Sequence, residues 1–245
     1  MVNGLYTASR GMTNILAKQD IHAQNLANSS TNGFKMARLV NTSEVNIGRN
    51  EDGELKQKET QNLSEVYTSF TQGPMVRTGN NFDLALSSTG FFSVEAADGS
   101  TRYTRNGGMS LNSFGELVTL SGKHVLDDGG APITLKGDSI QFQSDGGVFV
   151  DGRKTATLGI VDFADTKKLQ YGQDGLFGNT DPKANAPMPP KTTGLMQGFL
   201  EGSNSDPVST MVNMIADYRN YEADEKALKA VDDTLHQAVT EVGRV

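Results

Sequence analysis

The chain has 245 residues, with 22 Lys and Arg against 29 Asp and Glu, a net charge of −7 and a hydrophobic content of 36%. This acidic balance, with no basic block, predicts no nucleic-acid partner, because phosphate binding needs clustered cations. The chain contains no cysteine, which excludes disulfides and Cys-ligated metal sites, and its three scattered histidines predict no bound metal.

The first residues, MVNGLYTASRGMTNILAKQD, lack the cationic start and continuous apolar run of a secretory signal. We therefore expect no cleaved signal peptide, and export of this chain would need a specialised apparatus. No window approaches the roughly 18 apolar residues of a membrane-spanning helix, so direct membrane insertion is not expected.

The first region predicts a helix from about residue 3 to residue 28. Its side chains form two columns with a seven-residue repeat, an a/d pattern that weakens toward the C-terminal half. The columns are Leu5, Met12, Gln19 and Leu26, and Ala8, Ile15 and His22.

A second helix is predicted near the C-terminus, where Asp206 can cap it and Pro207 can take its first position. Its apolar column repeats every seven residues at Met214, Tyr221, Leu228, Leu235 and Val242, beside Met211, Tyr218, Glu225, Asp232 and Val239. A strict period of seven indicates supercoiling, since an independent helix drifts at 3.6 residues per turn. The alternative is an ordinary surface helix carrying pairs such as Glu225 with Lys229.

The middle of the chain predicts β-structure. Short apolar runs are separated by Asp-Gly pairs beginning at Asp98, Asp128, Asp145, Asp151 and Asp174. Residues 46–65 are polar, which indicates an exposed connection, and the prolines of 183–194 indicate an extended return segment.

The predicted fold is therefore mixed α+β. The N- and C-terminal helices would form an α-helical coiled-coil tube domain, with an inserted all-β middle domain that is a meander or small barrel. The predicted boundaries are 1–33 and 206–245 for the helical domain, 34–75 and 187–205 for the connecting β segments, and 76–186 for the middle domain.

The stretch HAQNLANSSTNGFK, residues 22–35, combines a helix end with a turn. Asn25 and Asn28 lie three residues apart near Leu26, where amides in a helical interface can fix register. Gly33 can supply the positive φ that turns the chain, and Phe34 would anchor the turn.

Three blocks of the sequence together resemble the bacterial flagellar axial proteins, which form the basal-body rod and hook. The blocks are LYTASRGM with QNLANSSTNGFK, residues 77–119, and residues 197–228. The chain length and single middle insertion are more similar to rod members than to hook members. AADGSTRYTRNG and LEGSNSDPV resemble the proximal-rod members most and the distal-rod members next.

The resemblance implies a structural subunit of the periplasmic rod, the drive shaft that carries torque from motor to hook. It implies export by the flagellar type III apparatus and assembly, through the terminal helices, with proximal and distal rod proteins and with copies of the chain. It implies neither catalysis nor a cofactor. The expected assembly interface comprises Leu5, Ala8, Met12, Ile15, Asn25, Leu26, Asn28, Gly33, Phe34, Met211, Met214, Tyr218, Tyr221, Leu228, Leu235 and Val242.

Two other classes of function remain open from the residues alone. The Asp-Gly segments offer carboxylates for an enzyme or a Ca²⁺ site, although turn chemistry alone accounts for them. A β-rich surface adhesin or carbohydrate-binding module with coiled-coil ends is the other alternative. Its binding platform would use aromatic side chains: Phe91, Phe92, Tyr103, Phe142 and Phe149.

Overall fold

The computed structural model describes residues 2–44, 47–49, 55–57, 61–172 and 174–242. The chain divides into two compact units. The first, here called the terminal unit, contains residues 1–27, 37–67 and 206–245. The second, the middle unit, contains residues 28–36 and 68–205.

Two long helices and four strands make up the regular structure of the terminal unit. The helices are α1 (Val2–Ala27) and α2 (Pro207–Val242), and the strands are β1 (Ala37–Glu44), β2 (Ile47–Arg49), β3 (Leu55–Gln57) and β4 (Gln61–Thr68). Strand β1 pairs with β4, and β2 pairs with β3 in an antiparallel register. The polar segment expected to be a connection thus contains strands in its described part, whereas residues 45–46, 50–54 and 58–60 lie outside it.

The start of α2 follows from local chemistry. The Asp206 carboxylate accepts hydrogen bonds from the amides of Val208 (3.3 Å) and Ser209 (3.1 Å), which satisfies two donors that have no partner inside the helix. The bond from the Ser209 amide is the main reason that the Asp206 pKa lies below its ordinary value. Pro207 begins the helix at the position where its missing N–H costs nothing, so the predicted start is confirmed.

Helices α1 and α2 pack against each other in opposite directions. Gly11 of α1 faces Asp224, whose Oδ2 lies 3.0 Å from the position that a Cβ on Gly11 would take. Farther along α1, His22 Nε2 lies 3.4 Å from Asp217 Oδ2, earlier in α2. The contact order along α2 is therefore the reverse of the order along α1.

The predicted fold class is wrong. The described residues contain two α-helices, an antiparallel pair, and many antiparallel strands, with no coiled-coil tube formed by the terminal helices. A seven-residue period in the sequence indicates which positions are apolar, but it does not indicate which part of the protein packs against them. On α2 the column of Met214, Tyr221 and Leu228 is half-buried, whereas Met211 and Tyr218 of the companion column are exposed.

The middle unit consists of short strands joined by tight turns, and every pairing recorded between them is antiparallel. The elements are β5 (Met75–Arg77), β6 (Leu84–Leu86), β7 (Phe91–Glu95), β8 (Thr101–Thr104), β9 (Met109–Leu111), β10 (Leu117–Thr119), β11 (Ile140–Phe142), β12 (Gly147–Val150), β13 (Arg153–Thr157), β14 (Ile160–Val161), the 3₁₀ helix η1 (Thr166–Lys168), β15 (Leu169–Tyr171), β16 (Phe177–Asn179), β17 (Leu195–Gln197) and β18 (Phe199–Glu201). The largest sheet has the order β14-β7-β8-β16-β15.

Strand β7 contributes to two hydrophobic clusters of the middle unit because successive side chains point to opposite faces. Phe92 and Val94 belong to the larger, mainly aliphatic cluster. Phe91 belongs to a smaller aromatic cluster with Tyr103 and Phe177. The Asp-Gly turns close the ends of such strands, and the Asp98 carboxylate, for example, accepts a hydrogen bond from the Ser100 amide at 2.9 Å.

Candidate functional site

The turn after α1 brings the NGFK residues into the middle unit. The Thr31 amide donates to the Asn28 carbonyl at 3.1 Å, and the Phe34 amide donates to the Thr31 carbonyl at 3.3 Å. Gly33 has a φ of 71°, as the sequence predicted, and its amide donates to the Glu201 carbonyl at 2.7 Å. The Phe34 ring meets Tyr171 edge-on, with 5.4 Å between centroids.

Behind this turn lies a buried ionic group, which we call the Glu201 cluster: Lys35, Arg105 and Glu201. Lys35 Nζ lies 2.5 Å from Glu201 Oε1, and Arg105 Nη1 lies 3.3 Å from Glu201 Oε2. The Gly73 amide also donates to Oε1, at 2.9 Å. The cluster therefore joins the segment after α1, the segment before β5, the end of β8 and the end of β18.

Backbone and aromatic groups complete the surroundings of the two cations. Lys35 Nζ donates to the Thr71 carbonyl at 2.8 Å. Arg105 donates to the Leu86 carbonyl at 3.4 Å, and its guanidinium carbon lies 5.3 Å from the centroid of the Phe91 ring. Arg105 Nε is buried without a hydrogen-bond partner. Two cations thus share one carboxylate, so Glu201 is the group on which the balance of charge depends.

Burial is the largest influence on both cations. It lowers the pKa of Lys35 from its ordinary value of 10.5, although the hydrogen bond to Glu201 and the charge of Glu201 oppose that shift. It also lowers the pKa of Arg105, against the opposing charge of Glu201. In each case the protein interior disfavours the charged form of the side chain. The negative charge of Glu201 compensates for part of the stabilisation that water would give to that form.

The lowered pKa of Lys35 predicts that its contribution to stability changes with pH. Between the folded pKa and 10.5, the unfolded chain keeps a proton on Lys35 that the folded chain has released. Raising the pH through this window therefore favours the folded state. The free energy of unfolding of the wild type, minus that of Lys35→Met, should increase as the pH is raised toward 10.5 in urea titrations. A constant or decreasing difference would contradict this prediction. Both proteins contain the same tyrosines, so the titration of these side chains contributes equally to both and does not change the difference.

Two buried or half-buried asparagines bind backbone groups near the cluster and near α1. In the middle unit, Asn204 Oδ1 accepts from the Met36 amide at 2.7 Å, and its Nδ2 donates to the Ser69 carbonyl at 2.8 Å. In the terminal unit, the fully buried Asn25 forms two bonds to Ala37, through its Nδ2 (2.8 Å) and Oδ1 (2.9 Å). Asn25 thereby fixes one backbone position through both a donor and an acceptor, and Asn204 bridges two backbone segments in the same way.

The first half of α2 presents a different kind of surface, a row of exposed apolar side chains here called the α2 stripe: Val208, Met211, Val212, Ile215 and Tyr218. Their exposed fractions lie between 47% and 67%. Their spacing of three or four residues places them along one side of a helix. A contiguous exposed apolar row of this kind is typical of a protein–protein contact.

The structure separates the sixteen predicted interface residues into four groups. Asn25, Gly33 and Phe34 are buried; Met12, Ile15, Leu26, Asn28, Met214, Tyr221 and Leu228 are half-buried; Met211 and Tyr218 are exposed; and the side chains of Leu5, Ala8, Leu235 and Val242 lie outside the described part. Their role in assembly stays a prediction, and the two exposed residues lie together in the α2 stripe.

The sequence reasoning missed the Glu201 cluster and three members of the stripe. Val208, Val212 and Ile215 carry a signal, the spacing of four and three residues, but the seven-residue columns assigned to the helix passed over them. Lys35 and Glu201 are 166 residues apart, and no local pattern connects them.

The residues proposed for the alternative functions occupy other environments. Four of the five platform aromatics, Phe91, Phe92, Tyr103 and Phe142, are buried, which removes the basis for a carbohydrate platform. Among the described residues, no group of three or more His, Asp and Glu side chains is arranged to hold a metal ion. None of the described helices is long and apolar enough to cross a membrane.

Comparison with protein families gives three matches in chain order. Residues 5–35 match the family described as flagella basal body rod protein, and residues 85–150 match the flagellar hook protein FlgE/F/G D1 domain. Residues 196–241 match the C-terminal region of the flagellar basal body rod FlgEFG proteins. The first and third matches include the two motifs that meet at the Glu201 cluster.

Whole-length relatives agree with these matches. The chain is 36% identical over 249 residues to the flagellar basal-body rod protein FlgF of Caulobacter vibrioides, covering 100% of both chains. It is 32% identical over 250 residues to FlgF of Escherichia coli, covering 97% of both. It is 31% identical over 252 residues to the rod protein FlgG of Agrobacterium fabrum, covering 95% of this chain and 96% of that one.

Proposed function

Because this chain belongs to the family of flagellar basal-body rod proteins, a structural family without enzymatic activity, we propose that it polymerises into the rod and transmits torque from motor to hook. Its greater identity to a FlgF protein than to a FlgG protein favours a place in the proximal rod. The observation that supports assembly through this chain's own residues is the α2 stripe, an apolar row left exposed on a helix whose other side packs on α1.

The proposed partners of the α2 stripe are other rod proteins and copies of this chain. Burying an exposed aliphatic side chain in an interface contributes roughly 1.5–3 kcal/mol. Four aliphatic side chains and Tyr218 in one row can therefore support a stable contact, after the loss of translational and rotational freedom is subtracted. Export through the flagellar type III apparatus and a periplasmic location belong to the same proposal, which family membership supports.

The centre of the stripe gives the sharpest test. Replacing Ile215, which is 55% exposed, by Asp should leave the isolated chain folded but place a charge in the proposed interface. We expect association between chains to weaken by about thirtyfold or more, the scale of losing a central contact. Sedimentation velocity of the purified chain over a concentration series measures this, with circular dichroism to verify the fold.

Ala227→Asp is the matched control. Ala227 is exposed on the same helix, about 120° around the axis from Ile215 at 3.6 residues per turn. It should associate like the wild type. In the bacterium that carries the gene, Ile215→Asp should abolish swimming and rod completion while Ala227→Asp supports both. Normal association and motility of Ile215→Asp would refute the α2 stripe as the assembly surface.

A further inference from the structure

The chain passes between the terminal unit and the middle unit four times, after residues 27, 36, 67 and 205. Within the middle unit, the segments beside these crossings are bonded to one another. The Ser69 amide, which follows the third crossing, donates to the Met36 carbonyl, which precedes the second, at 2.9 Å. Asn204, which precedes the fourth crossing, bonds both of these residues. This group is here called the crossing clamp: Met36, Ser69, Thr71 and Asn204.

The Asn204 side chain is the centre of the crossing clamp, since both its acceptor and its donor are used. Its Oδ1 accepts from the Met36 amide at 2.7 Å. Its Nδ2 donates to the Ser69 carbonyl at 2.8 Å, and both the carbonyl and the hydroxyl oxygen of Thr71 lie 3.0 Å from the same nitrogen. One short side chain thus joins the segment before the second crossing, the segment after the third and the segment before the fourth.

The Glu201 cluster joins the same segments a second time. Lys35 Nζ contacts both the Thr71 carbonyl, at 2.8 Å, and the Glu201 carboxylate. The Gly33 amide, in the segment between the first and second crossings, donates to the Glu201 carbonyl at 2.7 Å. The segments of the middle unit that adjoin the crossings are therefore linked by buried ionic contacts as well as by Asn204.

Such cross-links change how the middle unit responds to a force on one segment. A segment held by few buried contacts opens at a small fraction of the global free energy of unfolding. When its polar groups belong to a connected network, several bonds must break together, and their combined contribution exceeds that of isolated pairs. The crossings are also where force enters the middle unit along the backbone, because the chain connects the two units only there.

We propose that Asn204 is a positioning residue for torque transmission, because it makes the crossing segments of the middle unit carry load together. The inference deepens the proposed rod function and rests on it, since torque must pass along each subunit as well as between subunits. It concerns mechanical strength within one chain, whereas the α2 stripe concerns association between chains.

Two variants and one control separate load sharing from general stability. Asn204→Asp keeps the size of the side chain but turns a carboxylate oxygen toward the carbonyls of Ser69 and Thr71. Asn204→Ala removes the side-chain bonds without adding a charge. Asn185→Asp is the matched control, since the buried Asn185 also bonds backbone through both its groups, at 3.1 Å to the amide and 2.8 Å to the carbonyl of Asp165.

The chain contains no cysteine, so handles for magnetic tweezers can be attached at two introduced thiols, Ser30→Cys and Ser209→Cys, both at exposed positions. A force between these sites loads the first crossing segment of the middle unit against the last. At constant force, Asn204→Asp and Asn204→Ala should raise the rate of the first rupture roughly tenfold or more. Asn185→Asp should rupture at the wild-type rate, although it should also lower the urea midpoint of unfolding.

Hydrogen exchange of the chains without handles, measured by NMR, tests the clamp directly. The amides of Met36 and Ser69 should exchange roughly tenfold faster in both Asn204 variants and at the wild-type rate in Asn185→Asp. The inference is overturned if this exchange does not change, if neither Asn204 variant ruptures faster, or if Asn185→Asp ruptures equally fast. A failure of both Asn204 variants to fold, seen by circular dichroism, would also overturn it, because Asn204 would then serve stability alone.

These measurements do not require association between chains, so their failure differs from a failure of the proposed rod function. When they fail while the wild type associates and Ile215→Asp does not, the rod function stands and only the load-sharing role of Asn204 is lost. When the wild type does not associate, the rod function fails, and the role of Asn204 in torque transmission fails with it.

Discussion

Replacing Glu201 by Gln should destabilise the protein by about 3–5 kcal/mol, the usual cost of removing one partner of a buried ionic group. The substitution preserves shape and one carbonyl oxygen, which can still accept from Lys35 or the Gly73 amide. It removes the only negative charge of the cluster and turns an NH₂ group toward one of the two cations. Urea unfolding at pH 7, monitored by circular dichroism, measures the change in the free energy of unfolding.

Lys35→Met provides the comparison that identifies Glu201 as the central group. It leaves Glu201 paired with Arg105, so one cation and one anion remain together, and the methionine fills much of the vacated space. We therefore expect Lys35→Met to cost substantially less than Glu201→Gln. An equal or greater cost for Lys35→Met would show that the charge balance does not depend on Glu201. Glu65→Gln, at an exposed position, should change stability by less than about 0.5 kcal/mol.

The sequence predicts those features of the fold that depend on neighbouring residues. The start of α2 follows from Asp206 and Pro207, and the turns of the middle unit follow from Asp-Gly chemistry. These are local effects, in which a side chain and the backbone it binds are separated by a few residues. Residues 46–65, predicted to be a polar connection inside a connecting β segment, contain the β2–β3 pair, and a short two-stranded sheet of this kind needs no apolar run of its own.

Features that depend on what covers a surface could not be predicted in the same way. A seven-residue repeat on α2 led to a coiled-coil tube, whereas in this chain α2 packs antiparallel on α1 and its exposed apolar residues follow a different line, through Val212 and Ile215. The Glu201 cluster is nonlocal in the same sense. The Lys35 and Glu201 motifs were both recognised as similar to family motifs, but nothing in either one indicates that their charged groups meet.

Replacing Gly33 by Ala should also be severely destabilising, for two separable reasons. The φ of 71° is unfavourable for any residue with a Cβ, at roughly 1–2 kcal/mol. In addition, a Cβ on Gly33 would stand 2.2 Å from the Asn106 backbone nitrogen and 2.4 Å from the Arg105 carbonyl carbon. Both clashing atoms belong to the backbone, so relief requires that the chain beside the Glu201 cluster move, at a further cost of about 1–3 kcal/mol.

Gly79→Ala separates the two contributions. Gly79 has nearly the same φ, 76°, but a Cβ there would meet no atom within 4 Å. It should therefore show the conformational cost alone, and the difference between the two variants in urea unfolding should give the steric cost at Gly33. If both variants lost the same stability, the close approach of Gly33 to residues 105–106 would contribute nothing. A larger loss of stability at Gly33 would show that the turn after α1 must approach the backbone of residues 105–106 closely. That close approach explains why a Gly stands immediately before the Phe and Lys of the motif.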